Sequence, residues 1–272
     1  MKKILIFGES VIDKYKDFDI VGGAPLHIAI HLSKQKLYPD LVTSVGNDKN
    51  GKKILRTIKK YKISDKYLTY NQYKTGISYV TQKKNRNYFK IEKNCAWDYI
   101  KSFPNYTPDL LYTGSIVARS KNNLIILNKI LKKKIKYIFF DLNLRYPFIN
   151  WDFIYFMMKK KVTHLKMTEN EYRYILKKTK GYFQIDNLFY INKNLKYIAI
   201  TKGHKGSELY LKNNIVIKHN GSIDIKMVNS VGAGDIFCAY LIKGLLTEEN
   251  LTDSFNESVK YSAKSILRNK SY

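Results

Sequence analysis

The chain has little cysteine and no long apolar segment. Its 272 residues contain two cysteines, Cys95 and Cys238, whose separation does not match the spacing of metal-ligating pairs. A disulfide framework is therefore not expected, and this cysteine usage is typical of a reduced, cytoplasmic protein. No apolar run approaches the roughly 20 residues that a transmembrane helix needs, so no membrane partner is predicted. A short apolar stretch runs directly into Glu9, which predicts a first strand rather than a signal peptide.

Acidic residues and arginine are also scarce. Asp and Glu number 22 against 49 Lys and Arg, which gives a formal net charge of +27, and direct counting finds 43 lysines and 6 arginines. Proteins that bind nucleic acids favour arginine for bidentate contacts, whereas these lysines are scattered over most of the chain. The abundant residues Lys, Asn, Ile and Tyr share A/T-rich codons, so compositional bias accounts for the charge. We therefore predict no nucleic-acid partner, although the charge would attract anionic substrates.

Strand-like and helix-like segments alternate along most of the chain. Short apolar runs predict strands at residues 3–8, 40–45, 110–112, 137–141, 162–166 and 197–201. Apolar or amphipathic periodicity predicts helices at residues 24–36, 49–61, 120–134, 151–160, 169–178, 234–246 and 251–267. This alternation predicts an α/β fold with a mainly parallel, doubly wound sheet, helices on both faces, and ligands beyond the carboxyl ends of its strands.

Two hairpins interrupt the alternation. Residues 76–82 and 88–91 flank a polar turn, and residues 207–211 and 215–218 flank Asn213-Asn214. The first hairpin is expected to leave the main sheet as a small β lid, with lid strands roughly within residues 14–22 and 66–92. The sequence shows no internal repeat or low-complexity linker, so residues 1–272 are interpreted as a single α/β domain with this lid.

The sequence Gly232-Ala233-Gly234-Asp235 stands immediately before an apolar helical run. Small residues let the backbone turn tightly, and the first N–H groups of a helix have no partner inside it, so such a turn can bind an anion, most often phosphate. A carboxylate in this position suits a base that takes a proton from an attacking hydroxyl. The alternative is a Gly-rich turn with an Asp at a helix start, which is common and purely structural.

Other polar residues follow predicted strands. They are Glu9 with Asp13 after the first strand, the segment 141–145 after the fourth, and Thr201 with Gly203 after the sixth. Because the carboxyl ends of parallel strands meet at one edge of a sheet, these groups are expected to line a ligand cleft.

Together these segments resemble the ribokinase-like (PfkB) carbohydrate kinase family, and more narrowly its bacterial fructokinase-type members. The resemblance covers nearly the whole chain. It is carried, in chain order, by Gly22-Gly23-Ala24-Pro25-Leu26-His27-Ile28-Ala29, the Val45–Gly51 segment, Ala96-Trp97-Asp98, Asp141–Arg145, Thr201–Gly206 and Asn229–Phe237.

The resemblance implies transfer of the γ-phosphoryl group of ATP to a hydroxyl of a small sugar, such as fructose or a related sugar. Asp235 would be the base, and the backbone of Gly232, Ala233 and Gly234 would form the anion hole. Sugar contacts would come from Asp13, Gly22, Gly23, His27, Asn143 and Arg145. Nucleotide contacts would come from Thr201, Gly203, Gly206 and Gly232. Glu171 would hold Mg²⁺ indirectly, through water.

Three departures from the family pattern leave alternatives open. His27 stands where a sugar-binding Asn is usual, Asn229 replaces an Asp that often helps to bind a monovalent cation, and Thr168 replaces the Asn of an Asn-x-x-Glu motif. Binding of K⁺ is therefore left open. The alternatives are a non-catalytic relative that binds sugar or nucleotide, a nucleoside kinase, and charge-driven binding of nucleic acid. The exposed lid edge also makes a homodimer formed through the lid an expectation.

Overall fold

The computed structural model describes residues 2–83, 86–221 and 231–266. Its strands are β1 (Ile4–Phe7), β2 (Val11–Lys14), β3 (Asp19–Gly22), β4 (Asp40–Gly46), β5 (Leu68–Asn71), β6 (Gly76–Lys83), β7 (Arg86–Ile91), β8 (Leu110–Gly114), β9 (Tyr137–Asp141), β10 (His164–Thr168), β11 (Tyr197–Thr201), β12 (Gly206–Leu211) and β13 (Val216–Asn220). Its α-helices are α1 (Ala24–Lys34), α2 (Lys49–Lys60), α3 (Lys121–Leu131), α4 (Trp151–Phe156), α5 (Glu169–Lys178), α6 (Ile185–Ile191), α7 (Ala233–Thr247) and α8 (Leu251–Ser265).

The main sheet has nine strands in the order β13-β12-β11-β10-β9-β8-β1-β4-β5. The strands from β11 to β5 are parallel, and β12 and β13 add an antiparallel edge. The chain winds towards β4 and β5 on one side of β1 and towards β8–β11 on the other. Such a reversal opens a crevice at the carboxyl ends of the strands where it occurs, here around β1.

Side chains of the parallel strands are buried on both faces of the sheet, which explains why their sequences are nearly continuous apolar runs. In β1, Leu5 and Phe7 belong to one core and Ile4 and Ile6 to the other. Helices α3, α4, α5 and α6 cover the first core, and helices α1, α2, α7 and α8 cover the second. With both faces covered in this way, the edge formed by the strand ends is where polar side chains meet.

A second sheet forms the lid, with strand order β3-β2-β6-β7. Strand β2 pairs antiparallel with β3 and parallel with β6, so the lid combines the segment after β1 with the predicted hairpin. The expected lid range of 66–92 is too wide, because β5 pairs with β4 and extends the main sheet. The range 14–22 starts too late, because β2 begins at Val11.

The segments Ala96-Trp97-Asp98 and Val45–Gly51 anchor the base of the lid. The Arg119 guanidinium forms an ion pair with Asp98, with a Nε–Oδ1 distance of 2.7 Å, and stacks 4.0 Å from the centre of the Trp97 ring. A Cβ atom on Gly76, where β6 begins, would lie 2.8 Å from that ring. The carboxylate of Asp48 likewise accepts a hydrogen bond from the Thr75 N–H at 2.8 Å. These contacts fix the lid to the main sheet.

The sequence predictions for the other main elements are confirmed, with shifts at their ends. The strand predicted at 162–166 is β10, which lies two residues further along, and the helix predicted at 151–160 ends at Phe156 and continues as a π-helical turn, Met157–Lys161. Strands β2, β3 and β5 and helix α6 were not predicted as separate elements. Each is only four to seven residues long, which leaves little periodic signal.

His164, on β10, is a buried imidazole in an aromatic environment. Its ring centre lies 4.5 Å from that of Tyr197 and 5.7 Å from that of Tyr137, and Nδ1 lies 2.7 Å from the Thr163 hydroxyl oxygen. Burial, with a smaller contribution from Lys196, lowers the pKa of His164 to about 3. In the folded protein the ring is therefore neutral at pH values well above 3.

We predict that His164 makes the protein less stable at mildly acidic pH. Between about pH 6.5 and 3, the unfolded chain binds a proton at His164 that the folded chain does not bind, so stability falls as the pH falls. From pH 7.5 to 5.5 the free energy of unfolding in urea should decrease by about 1 kcal/mol more in the wild type than in His164→Asn. His204→Asn, at an exposed position, is the control and should behave as the wild type. Equal decreases in wild type and His164→Asn would contradict the prediction.

Candidate functional site

The site lies at the carboxyl end of β1, where the winding of the sheet reverses. Glu9 lies two residues after the end of β1, and Asp13 lies on β2, the first strand of the lid. Helix α1 then begins at Ala24, with Gly23 as its N-cap at φ 105° and Pro25 in the first turn. A proline suits this turn because the missing N–H would have no helical partner there. These short connections bring the lid, β1 and α1 together at the strand ends, where the reversal of winding is expected to open a cleft.

Helix α7 brings the Gly-Ala-Gly-Asp sequence to the same cleft. Gly232 is its N-cap, at φ 85° and ψ −11°, a left-handed conformation that glycine adopts readily. Ala233, Gly234 and Asp235 form the first turn, whose N–H groups have no intrahelical acceptor. The expected anion hole is thus a helix N-terminus, which favours negative charge. Asn229 lies outside the described residues.

Asp235 is hydrogen-bonded to His27. Asp235 Oδ2 lies 2.8 Å from Nδ1 of His27, whose other ring nitrogen, Nε2, lies 3.1 Å from the carbonyl oxygen of Val21. The His27 side chain is 2% exposed and that of Asp235 14% exposed, so only the carboxylate reaches the cleft. Burial alone lowers the pKa of His27, but Asp235, with help from Asp13 and the Val21 carbonyl, outweighs burial and raises this pKa above 6.5.

Asp13 is a second buried carboxylate of the site. It is 6% exposed and accepts a hydrogen bond from the Ser78 side chain on β6. Burial raises the pKa of Asp13, against the opposing effects of His27 and Ser78. A Cβ atom on Gly22 would lie 2.1 Å from Asp13 Oδ2, and one on Gly23 would lie 2.5 Å from the Glu9 carbonyl oxygen. Both glycines are therefore required by neighbouring groups of the chain itself, whatever they contribute to a ligand.

Glu9 belongs to the same cluster, as its position after the first predicted strand suggested, although no specific role was predicted for it. It is 8% exposed, and its Oε2 atom has no hydrogen-bond partner within the described ranges. Burial raises the pKa of Glu9 to about 7; the charge of Asp235 adds to this effect, and Arg145 opposes it. The sequence placed Glu9 with Asp13 at the end of the first strand, but it did not show that Asp235 and Arg145 lie close enough to act on the Glu9 carboxyl.

Arg145 supplies the positive charge on this side of the site. It lies in the loop after β9, acts electrostatically on both Glu9 and Asp13, and has its guanidinium carbon 4.7 Å from the centre of the Phe89 ring on lid strand β7. Asn143, in the same loop, has φ 37°, a left-handed conformation that Asn tolerates better than most residues. Its predicted contact with the sugar stays a prediction.

A buried ion pair lies on the other side of the α7 N-terminus. Lys166 Nζ, on β10, lies 3.1 Å from Asp141 Oδ1 at the end of β9, and both side chains are almost fully buried. A Cβ atom on Gly234 would lie 3.2 Å from this ammonium nitrogen. Burial alone would lower the pKa of Lys166, but Asp141 outweighs it and raises this pKa; burial in turn raises the pKa of Asp141 to about 6. In the sequence, the only indication of this ion pair is that Lys166 stands within an otherwise apolar strand segment.

The residues predicted to contact a nucleotide lie at the end of β11, next to β10. Thr201 pairs with Thr168 in the parallel register, and Gly203 follows at φ 60° with open space around its Cβ position. Gly206, at φ 92°, is required by the β12–β13 hairpin, since a Cβ atom there would lie 2.0 Å from the His219 carbonyl oxygen. The predicted nucleotide contacts thus lie at the β11 end of this sheet edge. Of the predicted sugar contacts, Asp13, Gly22 and Gly23 lie on or beside lid strands β2 and β3.

Glu171 stabilises the start of α5. Its Oε2 accepts hydrogen bonds from the backbone N–H of Thr168 at 2.7 Å and from the Thr168 hydroxyl at 2.9 Å, and its Oε1 accepts from the Leu144 N–H at 2.7 Å. Thr168 thus replaces the expected Asn as a helix cap, and Glu171 ties the Arg145 loop to this helix. Within the described ranges, no group of three His, Cys, Asp or Glu residues could hold a metal ion by itself.

Comparison with known proteins gives the family. A model of the pfkB family of carbohydrate kinases matches residues 8–271. A sugar kinase of Pyrococcus horikoshii is 27% identical over 252 residues, covering 85% of this chain and 74% of its own. An ATP-dependent 6-phosphofructokinase of Thermoanaerobacterium thermosaccharolyticum is 25% identical over 265 residues, covering 92% of this chain and 80% of its own.

Two solved structures share the fold. The Pyrococcus sugar kinase in complex with ATP superposes with a TM-score of 0.83 at 23% identity, covering 98% of this chain and 93% of its own. Fructokinase of Vibrio cholerae with fructose, ADP and calcium ion also gives 0.83, at 18% identity, covering 100% of this chain and 94% of its own. The predicted ribokinase-like α/β fold is confirmed, and the chain belongs to the pfkB family of carbohydrate kinases. No helix in the described ranges is long and apolar enough to cross a membrane.

The contact between Gly22 and Asp13 gives a prediction about stability. Gly22→Ala should lower the free energy of unfolding in urea by about 1–3 kcal/mol, because its Cβ atom would displace the Asp13 carboxylate. In an Asp13→Ala background the same substitution should cost at least about 1 kcal/mol less, since the obstructing group is gone. Gly114→Ala is the control: its Cβ atom would meet only the Asp141 carbonyl oxygen, at an ordinary 3.4 Å. Additive effects of Gly22→Ala and Asp13→Ala would exclude the proposed clash.

Proposed function

We propose that this carbohydrate kinase transfers the γ-phosphoryl group of ATP to a hydroxyl of a small neutral sugar, fructose or a related ketose or furanose, with Asp235 as the base. The observation that carries the proposal is the position of Asp235. Its carboxylate lies in the first turn of α7, between a cluster that suits hydroxyl groups (Glu9, Asp13) and a buried ammonium group beside Gly234.

The α7 N-terminus suits the phosphate chain of ATP. Its free N–H groups favour an anion, and the absence of a side chain on Gly234 leaves the backbone open above Lys166, where a Cβ atom would already lie 3.2 Å from the ammonium nitrogen. Bound ATP supplies the phosphoryl group to be transferred. The backbone N–H groups of Ala233, Gly234 and Asp235 would stabilise the negative charge on that group. The nearby ammonium of Lys166 would stabilise it further by electrostatic attraction.

Asp235 would complete the reaction at the acceptor. As the sugar oxygen forms its bond to phosphorus and the bond from phosphorus to the leaving oxygen of ADP breaks, the hydroxyl proton passes to the carboxylate. Because His27 occupies Oδ2, Oδ1 is the oxygen available for this proton. Holding the hydroxyl and the phosphate chain on either side of one carboxylate supplies the positioning on which phosphoryl transfer chiefly depends.

The sugar would lie against Asp13 and Glu9. A carboxylate accepts hydrogen bonds from hydroxyl groups, and Glu9, with its pKa raised to about 7, is partly protonated at neutral pH and can also donate one. Arg145 would close the site from the lid side through its contact with Phe89. This combination suits a neutral polyol, which needs both donors and acceptors.

The nucleotide would extend along the end of β11, near Thr201 and Gly203. Mg²⁺ would enter with the phosphates, as it usually does, with few protein ligands of its own. Glu171 would act on it through water, using lone pairs that its helix-capping hydrogen bonds leave free. We propose no monovalent cation site, since Asn229 lies outside the described residues.

Replacing Asp235 tests the base. Asp235→Asn should lower kcat by about 10²–10⁴-fold, because the amide cannot accept the hydroxyl proton, while affinity for ATP measured by calorimetry should change little. Asp253→Asn, an exposed carboxylate on α8, is the control and should keep the wild-type rate. ADP release would be measured with fructose at saturating ATP and Mg²⁺. A wild-type rate in Asp235→Asn would overturn the assignment of the base.

A panel of acceptors tests the substrate. Fructose and related neutral sugars should give a kcat/KM at least tenfold above that of fructose 6-phosphate and of nucleosides, because the sugar side of the site offers carboxyl groups and a single guanidinium. Preference for a nucleoside would select a nucleoside kinase instead. If calorimetry detects binding of both ATP and sugar but no acceptor leads to ADP release, the non-catalytic alternative is selected.

A further inference from the structure

His27 is held between two hydrogen-bond acceptors. Nε2 faces the Val21 carbonyl oxygen at 3.1 Å, and Nδ1 faces the Asp235 carboxylate at 2.8 Å. A carbonyl oxygen has no proton to give, so the first contact requires a hydrogen on Nε2. A neutral imidazole then has only a lone pair on Nδ1. At 2.8 Å, that lone pair and an ionised carboxylate would repel each other. The contact between Nδ1 and Asp235 therefore requires a second proton.

We propose that His27 and Asp235 share this second proton, and that His27 is the positioning residue that holds the catalytic carboxylate through it. With the proton bound, the pair is an imidazolium and a carboxylate joined by a charge-assisted hydrogen bond, which is stronger than a neutral one. Without it, the imidazole has a single N–H, which satisfies either Val21 or Asp235 and leaves the other contact repulsive. Deprotonation therefore breaks one of the two contacts that fix the ring, so His27 no longer holds Asp235 in a single position.

The surroundings of the pair favour the protonated form. Of the groups that act on His27 directly, Asp235 on α7 and Asp13 on β2 are both acidic. The groups that act on Asp235 or Asp13 in turn are Glu9, Arg145, Tyr112, Asp141 and Cys238. Arg145 is cationic, and the cation Lys166 is paired with Asp141. Burial of the ring opposes protonation, but these carboxylates outweigh it, and the pKa of His27 is raised. The proton is therefore retained at pH values where an ordinary histidine, with a pKa of about 6.5, has lost it.

The shared proton changes the role expected for His27. The family resemblance implies that this side chain contacts the sugar, whereas both of its ring nitrogens are engaged by the chain's own acceptors. Its effect on the reaction would then be exerted through Asp235. This catalytic part of the inference rests on the proposed function, but the shared proton itself does not.

Nuclear magnetic resonance tests the proton directly, without any substrate. In protein labelled with ¹⁵N-histidine, the five imidazoles can be followed against pH, and His27 is identified as the signal lost in His27→Asn. We expect its titration midpoint above pH 6.5 in the wild type and at least one pH unit lower in Asp235→Asn, with Asp253→Asn unchanged. A wild-type midpoint at or below 6.5, or the same midpoint in Asp235→Asn, would refute the shared proton even if the enzyme is active.

Two substitutions separate the two contacts in a kinetic test. His27→Asn carries its amide nitrogen at the δ position, where it can donate to Asp235 without titrating, whereas His27→Gln carries it at the ε position, towards Val21. The wild-type kcat/KM should fall tenfold per pH unit above the midpoint of the pair. His27→Asn should lose this alkaline decline, and His27→Gln should be at least tenfold slower than His27→Asn at neutral pH.

A purely structural role for His27 gives a different result. In that case each variant would lower kcat/KM by a factor that does not change with pH, and both would keep the alkaline decline. That result would refute the positioning role. If the wild type turns over no sugar at all, the proposed function fails, whereas the resonance titration still decides whether the proton is shared.

Discussion

Burial of the parallel strands on both faces is the constraint from which the rest of the structure follows. Side chains of β1 alternate between two apolar cores, so the sheet has no polar face, and ionisable groups collect where strands end. The reversal of winding at β1 opens that edge. Glu9, Asp13 and Asp141 all lie there, each buried and each with a raised pKa. A site of interacting carboxylates is a consequence of this topology.

Such a site needs compensating positive charge, and the structure supplies it from three different elements. Lys166 pairs with Asp141, Arg145 acts on Glu9 and Asp13, and His27 bonds to Asp235. Lys166 lies next to Gly234 and His27 is bonded to Asp235, both in the first turn of α7, whose own dipole adds further positive character. Asp235, the most exposed of these carboxylates, is thereby left facing the cleft with one oxygen restrained.

The lid is coupled to this electrostatic arrangement. Asp13 belongs to lid strand β2 and accepts a hydrogen bond from Ser78 on β6, and Phe89 on β7 stacks on Arg145. The base of the lid is in turn fixed by the Arg119–Asp98 ion pair against Trp97. A movement of the lid would therefore shift both a carboxylate and a cation of the site.

The sequence by itself determined the alternating elements, the parallel sheet, the hairpin of the lid and the position of Gly232–Asp235 at a helix start, because these depend on local periodicity and on the conformations of glycine. It did not determine β5, whose four residues pair with β4 rather than with the lid, since pairing depends on contacts distant in the chain. Only the tertiary structure decided that His27 meets Asp235, 208 residues away, that Lys166 lies next to Gly234, and that Asp235 and Arg145 act on Glu9. Charge and burial act through space, and a pattern along the chain carries no distances between residues far apart in sequence.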